Sequence, residues 1–298
     1  MTSSFDANSR SARLEPPAAD GEAPADLVDQ LVEKVNQWTM MQFGIERRSH
    51  FLNTLAARTR ATNSPHIAAY IRSVLAASGQ TGFLALVDDL TINETTFYRN
   101  VPQMNLFANV AVPEIAARKR AQGGPKRLDI WSAACSTGQE VYTLAILAYE
   151  ALRFLPAWNV HVYGTDISPS VIDVARRGVY PKARLTTMPP QILARYFEAH
   201  GDEIRVKDML HRITSFQMHN LRDPFSPQVY DVIYCRNAMI YFSRDDQKAL
   251  AERFRERIAP GGFLFIGHSE SLQGLGVDFR MRVEAGGVAY QKPLEGKQ

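Results

Sequence analysis

The 298-residue sequence has few cysteines, little excess of charge of either sign and no long apolar run. Two cysteines, Cys135 and Cys235, are too few for a disulfide framework, so we expect a reducing compartment and a cytoplasmic protein. With 34 basic and 31 acidic residues the chain is only mildly basic, so its composition does not indicate nucleic acid as a partner. No apolar run approaches the length of a membrane span, and residues 1–25 lack the apolar segment of a secretory signal.

The segment from Ile130 to Ile146, IWSAACSTGQEVYTLAI, also lacks both common phosphate-binding glycine patterns. It is typical of a buried strand, a loop of small residues ending at Gly138, and an apolar-periodic helix. α/β proteins bind cofactors at such a loop. A pyrophosphate needs several glycines so that it can reach the amides at the start of the helix. We therefore expect a cofactor other than a dinucleotide or a nucleoside triphosphate.

The sequence changes once, from helical periodicity to an alternation of strands and helices. Residues 1–25 are rich in Ser, Ala, Pro and acidic residues and are predicted to form a disordered tail. Residues 26–105 are predicted to form a helical domain, and residues 106–125 a linker. The alternation in residues 126–294 predicts an α/β domain with a parallel, doubly wound, Rossmann-like sheet.

Local signals predict several boundaries within these domains. Ser64 is the expected N-cap of a helix that has Pro65 at its first position. The run Pro260-Gly261-Gly262 is expected to end the helix that precedes it. The segments FRMRVE and GVAYQK are expected to pair as an antiparallel hairpin that closes the sheet.

Four predicted strand ends carry residues that suit an adenosine compound: Gly138, Asp166, Asn220 and Asn237. Ligands of open α/β sheets bind beyond the carboxyl ends of the strands. An aspartate there can accept hydrogen bonds from both ribose hydroxyls, and asparagines can offer a donor and an acceptor to an adenine edge. Adenosine without phosphate on such a sheet indicates S-adenosylmethionine. The alternatives are that Asp166 only caps the helix beginning near Ser168 and that the asparagines are turn residues.

Several motifs, in order, resemble those of the CheR-type chemotaxis receptor methyltransferases. They are LTINETTFYRN, WSAACSTGQEVYTLA, YGTDIS, CRNAMIYF and PGGFLFIGHSE. The resemblance extends from about Leu27 to Lys292. It implies a small all-helical N-terminal domain before the methyltransferase domain. It also implies methyl transfer from S-adenosylmethionine to glutamate side chains on the cytoplasmic helical domain of methyl-accepting chemoreceptors, giving glutamyl methyl esters and S-adenosylhomocysteine. Such a protein is cytoplasmic and meets the membrane only through receptors.

The resemblance also implies site residues. The cofactor contacts it implies are Asn93, Thr95, Arg99, Glu140, Asp166, Asn220, Leu221, Asn237 and Ala238. Arg99 is the candidate to meet the methionine carboxylate, with a purely structural ion pair as the alternative. Arg236 and Tyr241 are candidates to face the substrate glutamate, with solvent exposure or core packing as the alternative. No metal ligand is predicted.

Two positions depart from the family pattern, and other features bear on binding of the receptor. Gln139 and Ala238 replace a usual Glu and Val. The small β-subdomain expected near residues 196–215 is short, so we expect tethering to a receptor's C-terminal pentapeptide to be absent. Arg47 and Arg58 are eleven residues apart on a predicted helix and would face an acidic receptor together, or else form an ordinary solvated face.

Two other functions remain open from the sequence. One is a non-catalytic adapter that binds S-adenosylmethionine or its product as a signal. The other is a methyltransferase that acts on nucleic acid or on small molecules. Amino-directed DNA methyltransferases carry an Asn/Asp-Pro-Pro-aromatic run after the fourth strand, whereas this sequence has RNAMIY there, without proline.

Overall fold

The computed structural model describes residues 24–43, 47–155, 157–185, 188–284 and 286–294. The predicted tail therefore lies almost entirely outside the described residues. Four helices come first: α1 (Ala25–Thr39), α2 (Arg48–Ala61), α3 (Ile67–Leu75) and α4 (Gln80–Leu90). Their inward faces form one apolar cluster, in which Leu31, Phe51, Ile71 and Leu86 are completely buried. Burial of these faces stabilises the four helices together, since isolated helices of 9 to 15 residues are marginal in water.

The start of α3 differs from the prediction. The N-cap is His66, whose Nδ1 accepts a hydrogen bond from the amide of Ala69 at 3.1 Å. Ser64 and Pro65 lie before the helix, and the Ser64 hydroxyl instead contacts Thr62 Oγ1. The prediction of Ser64 as the N-cap and of Pro65 as the first helical residue was wrong. The His66 side chain, two residues after Ser64, is the one that accepts the Ala69 amide at the start of the helix.

A continuous helix occupies the segment predicted as a linker. It consists of α5 (Val101–Leu106), a π-helical turn (Phe107–Ala111) and α6 (Val112–Ala121). Phe107 is completely buried, and its ring centroid lies 5.7 Å from that of Tyr234 in the sheet. Residues 106–121 thus pack against the α/β domain as a structural helix.

Ten strands in the described part of the chain form two sheets. The strands are β1 (Arg127–Ala133), β2 (Asn159–Asp166), β3 (Val179–Pro181), β4 (Phe197–His200), β5 (Glu203–Val206), β6 (Thr214–Met218), β7 (Tyr230–Cys235), β8 (Ile258–Ile266), β9 (Arg280–Glu284) and β10 (Gly287–Gln291). The large sheet has the order β6-β2-β1-β7-β8-β10-β9. Its first five strands are parallel, and β9 and β10 form the predicted antiparallel hairpin. The Rossmann-like α/β class is confirmed.

The remaining helices connect these strands. They are α7 (Gln139–Leu152), α8 (Pro169–Arg177), α9 (Pro190–Tyr196), α10 (Asp208–His211) and α11 (Arg244–Arg257). α11 ends at Arg257, so the helix ends before Pro260 as predicted, and the run Pro260-Gly261-Gly262 itself lies inside β8. The β7–β8 pairing shifts register between Tyr230 and Val232, and Gly261 has φ +72°. Strands tolerate proline at such an irregularity.

The small sheet, with the order β3-β5-β4, stands apart from the large one. Tyr180 and Phe197 of this sheet pack edge-on against Phe97, with ring centroids 5.1 Å and 5.4 Å away. The sheet is thereby attached to the segment that joins α4 to α5. No helix in the described part of the chain is long and apolar enough to cross a membrane.

The four-helix unit contacts the carboxyl-end edge of the large sheet. Met41 forms an antiparallel bridge with Phe242, and the Gln42 amide donates to the Tyr241 carbonyl oxygen at 2.8 Å. Asp88 of α4 accepts hydrogen bonds from the hydroxyls of Ser168 and Ser170. These contacts place the helical unit beside the strand ends.

Candidate functional site

A cavity lies between the helical unit and the carboxyl ends of β1, β2, β6 and β7. The predicted cofactor contacts and catalytic candidates line it, whereas Gly138 does not; the lining ones are Asn93, Thr95, Arg99, Glu140, Asp166, Asn220, Leu221, Arg236, Asn237, Ala238 and Tyr241. The structure therefore brings together residues that are up to 148 positions apart (241 − 93) in the sequence.

The loop after β1 is strained and tightly packed. Ala134 and Ser136 have positive φ values of 62° and 50°, which cost energy in residues other than glycine. Gly138 has φ +91°, and a Cβ there would lie 2.7 Å from Ala175 Cβ in α8. Gly138 is therefore required by the contact with the protein's own helix α8.

Asp166, at the end of β2, holds this loop. Its carboxylate accepts the Ser136 amide at 2.8 Å on Oδ2 and the Ser168 amide at 3.0 Å on Oδ1. Burial raises the pKa of Asp166 above its ordinary value, and these amide donors partly oppose that rise. The N-cap of α8 is Ser168, whose hydroxyl accepts the Val171 amide, so Asp166 does not itself cap the helix. A carboxylate has about four acceptor positions, so Asp166 retains capacity for ligand hydroxyls.

Glu140 and Arg236 form a buried ion pair in the wall of the cavity. Arg236 Nε lies 2.7 Å from Glu140 Oε2, and their side chains are only 4% and 8% exposed. Glu140 Oε1 accepts the Ser132 hydroxyl at 2.8 Å. Arg236 Nη1 donates to the Arg99 carbonyl oxygen at 2.8 Å and to Gln103 Oε1 at 3.2 Å. Arg236 is thus held inside the protein, which favours the packing alternative over free contact with a substrate glutamate.

The Asn220 side chain is also engaged within the protein. Its Nδ2 donates to the Trp38 carbonyl oxygen at 2.7 Å, and its Oδ1 accepts the Arg222 amide at 3.0 Å. It therefore fixes the end of α1 against the sheet. These contacts use one of the two N–H donors and one of the two carbonyl lone pairs of the amide, so the expectation that Asn220 offers a donor and an acceptor to an adenine edge stays a prediction.

Tyr241 contributes a ring to the cavity wall and is supported from behind. The Arg47 guanidinium stacks between the rings of Tyr241 and Phe43, 4.5 Å from each centroid. Arg47 precedes α2, and Arg58 within α2 lies 3.4 Å from Asp89. The hypothesis that Arg47 and Arg58 share one free face was wrong because each has an internal partner.

The segment between α4 and α5 forms another wall. The Ser136 hydroxyl donates to the Asn93 carbonyl oxygen at 3.0 Å, and Asn93 Nδ2 donates to Thr91 Oγ1 at 2.9 Å. Arg99 Nη1 donates to the Glu94 carbonyl oxygen at 3.0 Å. Arg99 also lines an adjoining recess beside the exposed His268. The Arg99 guanidinium thus stands where the cavity and the recess meet.

Sequence reasoning missed part of the lining. The missed residues include Thr39, Met41, Ser136, His219 and Phe242. Thr39 is the last residue of the amphipathic helix α1 and Met41 follows it, and nothing in their local pattern shows that α1 ends at the sheet. Ser136 belongs to the loop that was identified, so its position in the ACSTG turn was the available signal.

Comparison with known families gives a match over most of the chain. The family model "CheR methyltransferase, SAM binding domain" matches residues 93–285. A chemotaxis protein methyltransferase of Vibrio parahaemolyticus is 35% identical over 226 residues, 74% of this chain and 80% of that protein. One of Salmonella typhimurium is 34% identical over 243 residues, 79% of this chain and 80% of that protein.

Solved methyltransferase structures are also similar, at lower identity. The glycopeptide N-methyltransferase MtfA, solved with S-adenosyl-L-methionine, is 16% identical, and the match covers 58% of this chain and 60% of that one with a TM-score of 0.31.

Proposed function

Because the chain belongs to the family of CheR methyltransferases, we propose that it methylates glutamate side chains of methyl-accepting chemoreceptors, giving glutamyl methyl esters. The family makes it an S-adenosylmethionine-dependent protein methyltransferase. The observation that carries the finer proposal is the similarity to chemotaxis methyltransferases over about four-fifths of their length. The second product is then S-adenosylhomocysteine.

The cavity residues fit the cofactor. Asp166 is buried, 6% exposed, and keeps acceptor capacity on the carboxylate, as ribose hydroxyls require. We propose that Arg99 binds the methionine carboxylate, since this residue lines the cavity. Leu221, Asn237 and Ala238 line the wall formed by the ends of β6 and β7, and we assign to them the remaining contacts.

Methylation of a glutamate carboxylate requires no proton transfer by the protein. The cofactor supplies a methyl group bonded to a positively charged sulfur. A glutamate with an ordinary pKa of about 4.3 is already ionised at neutral pH, so no general base has to remove a proton. The chain's residues need to bind, orient and exclude water, because water stabilises the separated charges of donor and acceptor. The four-helix unit, which contributes Thr39 and Met41 to the wall, shields this side of the cavity.

Of two predicted catalytic residues, Tyr241 keeps its role in this proposal and Arg236 receives a revised one. Tyr241 remains the candidate to touch the acceptor, because its ring lines the cavity and is backed by Arg47. Arg236 acts as a positioning residue, because its guanidinium joins Glu140 to the Arg99 carbonyl oxygen. Arg236 thereby holds the backbone from which the Arg99 side chain extends.

The proposed partner is the cytoplasmic helical domain of a chemoreceptor, which places the enzyme in the cytoplasm. We propose that this interaction does not need a receptor pentapeptide. The hairpin of the small sheet supports this view, since strands of four residues, β4 and β5, are joined by only Gly201 and Asp202.

Methyl transfer to receptors gives a direct test. The protein is incubated with methyl-labelled S-adenosylmethionine and receptor-bearing membranes, and the labelled product is treated with alkali. We expect labelled methanol, since glutamyl methyl esters hydrolyse in base. Membranes without receptors are the control. Alkali-stable label would contradict ester formation, and no label despite tight binding of S-adenosylhomocysteine would favour a non-catalytic adapter.

Replacement of Arg99 tests its assigned role. We expect Arg99→Gln to raise KM for S-adenosylmethionine about tenfold or more, because a hydrogen bond between charged groups is lost. KM for the receptor should change little. Arg120→Gln, at an exposed position of α6, is the matched control and should leave both constants unchanged. An unaltered KM for the methyl donor in the Arg99 variant would remove this residue from the cofactor site.

A further inference from the structure

Glu270, four residues after β8, binds the backbone at two places. Its Oε2 accepts the amides of Asn237 at 3.1 Å and of Gly267 at 2.5 Å. Its Oε1 accepts the Ile240 amide at 3.1 Å. One carboxylate therefore joins the end of β8 to the segment 237–241 that follows β7.

The segment 237–241 forms part of the cofactor cavity and has an unusual backbone. Asn237 has φ +59°, a left-handed conformation that costs energy even though asparagine tolerates it better than most residues. Met239–Tyr241 form a short 3₁₀ turn. The first amides of such a turn have no partner within it, so they need an external acceptor. Glu270 provides that acceptor for the Ile240 amide, and it also accepts the amide of Asn237, which precedes the turn.

The carbonyl groups of the same segment are held from the opposite side. Gln247 of α11 donates to the carbonyl oxygens of Met239 at 2.9 Å and Phe242 at 3.1 Å. The amide of Gln42 donates to the carbonyl oxygen of Tyr241 at 2.8 Å. Glu270 is the anionic member of this set, and the other two are neutral groups.

Gly267 shows how closely β8 approaches this segment. A Cβ at position 267 would lie 2.7 Å from Glu270 Oε2 and 3.0 Å from the Asn237 amide nitrogen. Any side chain there would displace the carboxylate from the amide that it binds. A glycine at this position is thus required for the Glu270 contact.

We propose that Glu270 is a positioning residue of the methyltransferase, whose carboxylate holds segment 237–241 in the shape that lines the cofactor cavity. An ionised carboxylate only accepts hydrogen bonds, which suits three converging amide donors. A glutamine would bring two N–H groups into a place already occupied by donors. The proposal rests on the cofactor and not on which acceptor is methylated.

The first experiment measures binding of S-adenosylhomocysteine to the full-length protein by calorimetric titration. We expect Glu270→Gln to raise its Kd about tenfold or more, with the protein still folded by circular dichroism. Asp231→Asn is the matched control. Asp231 is a buried carboxylate near the start of β7, the strand that precedes segment 237–241. It accepts hydrogen bonds from the Asp129 amide at 3.0 Å and from Lys119 Nζ at 2.6 Å. This control should lower the unfolding temperature and leave Kd within twofold.

Gly267→Ala provides a second perturbation that keeps the carboxylate. We expect it to weaken binding in the same way, because the added methyl group pushes Glu270 away from Asn237. Both variants binding with Kd within twofold of the wild type would overturn the proposal. Weakened binding in Asp231→Asn equal to that in Glu270→Gln would also overturn it, since the effect would then follow stability alone. Titration with S-adenosylhomocysteine requires no receptor, so a failed receptor assay leaves this result independent.

Discussion

Replacement of Glu140 by alanine is expected to lower the free energy of unfolding by about 3–5 kcal/mol. The change leaves the Arg236 guanidinium, only 4% exposed, without its carboxylate partner at 2.7 Å. An uncompensated buried charge is costly because water cannot solvate it. Urea denaturation, with the slope m compared between variants, measures the effect.

The control for Glu140→Ala is a glutamate in an exposed ion pair. Glu252 in α11 lies 3.6 Å from Lys248, and both side chains are about half exposed. Glu252→Ala should change stability by no more than about 0.5 kcal/mol. In the double variant Glu140→Ala/Arg236→Met no buried charge remains, so we expect a smaller loss than the sum of the single changes. A loss below about 1 kcal/mol for Glu140→Ala would contradict the importance of the pair.

Replacement of Asp166 by alanine is expected to weaken binding of S-adenosylhomocysteine by at least about 1–3 kcal/mol, the cost of losing a charged hydrogen-bond partner. The effect should exceed the contact itself, because the amides of Ser136 and Ser168 lose their acceptor and the loop after β1 is released. Calorimetric titration measures the change.

Asp173 provides a matched control for Asp166. It lies in α8, seven residues later, with a side chain 63% exposed and paired with Arg176 at 3.4 Å. Asp173→Ala should bind S-adenosylhomocysteine as the wild type does. Unchanged affinity in Asp166→Ala would instead exclude this carboxylate from the cofactor site.

The elements of the α/β domain could be predicted from sequence with good accuracy where the pattern is strong. The sequence patterns NVHVYGTD, YDVIYC and QEVYTLAILAYEAL predict two strands and a helix, and β2 (Asn159–Asp166), β7 (Tyr230–Cys235) and α7 (Gln139–Leu152) have the same bounds. Each has a sustained period of two, a continuous apolar run or an apolar helical pattern, bounded by turn residues. Such patterns are local properties, so they can be identified without knowing the neighbours.

The errors occur where a tertiary contact overrides a local signal. Residues 106–121 were expected to be part of a linker, yet they are helical because Phe107 packs against Tyr234 and Phe265 of the sheet. Pro260-Gly261-Gly262 follows the helix that it was expected to end, yet it lies within β8, where the flanking residues Ile258 and Phe263 pair with β7. In both cases the deciding partner is distant in the sequence.

The candidate site shows the same division. The rule that ligands bind beyond the carboxyl ends of parallel strands was sufficient to predict that Asp166 and Asn237 line one cavity. It could not assign the polar contacts of Asn220 and Arg236, whose hydrogen-bond partners Trp38 and Glu140 lie 182 and 96 positions away.

By itself the sequence determined the α/β class, the family resemblance and the strand ends at which the cofactor is expected, because hydrophobic periodicity and strand-end residues are local features. Tertiary structure alone decided which of those polar residues face the cavity with free acceptor or donor capacity and which are satisfied inside the protein. The physical reason is that a buried polar group must find a partner, and that partner is set by the packing of distant elements.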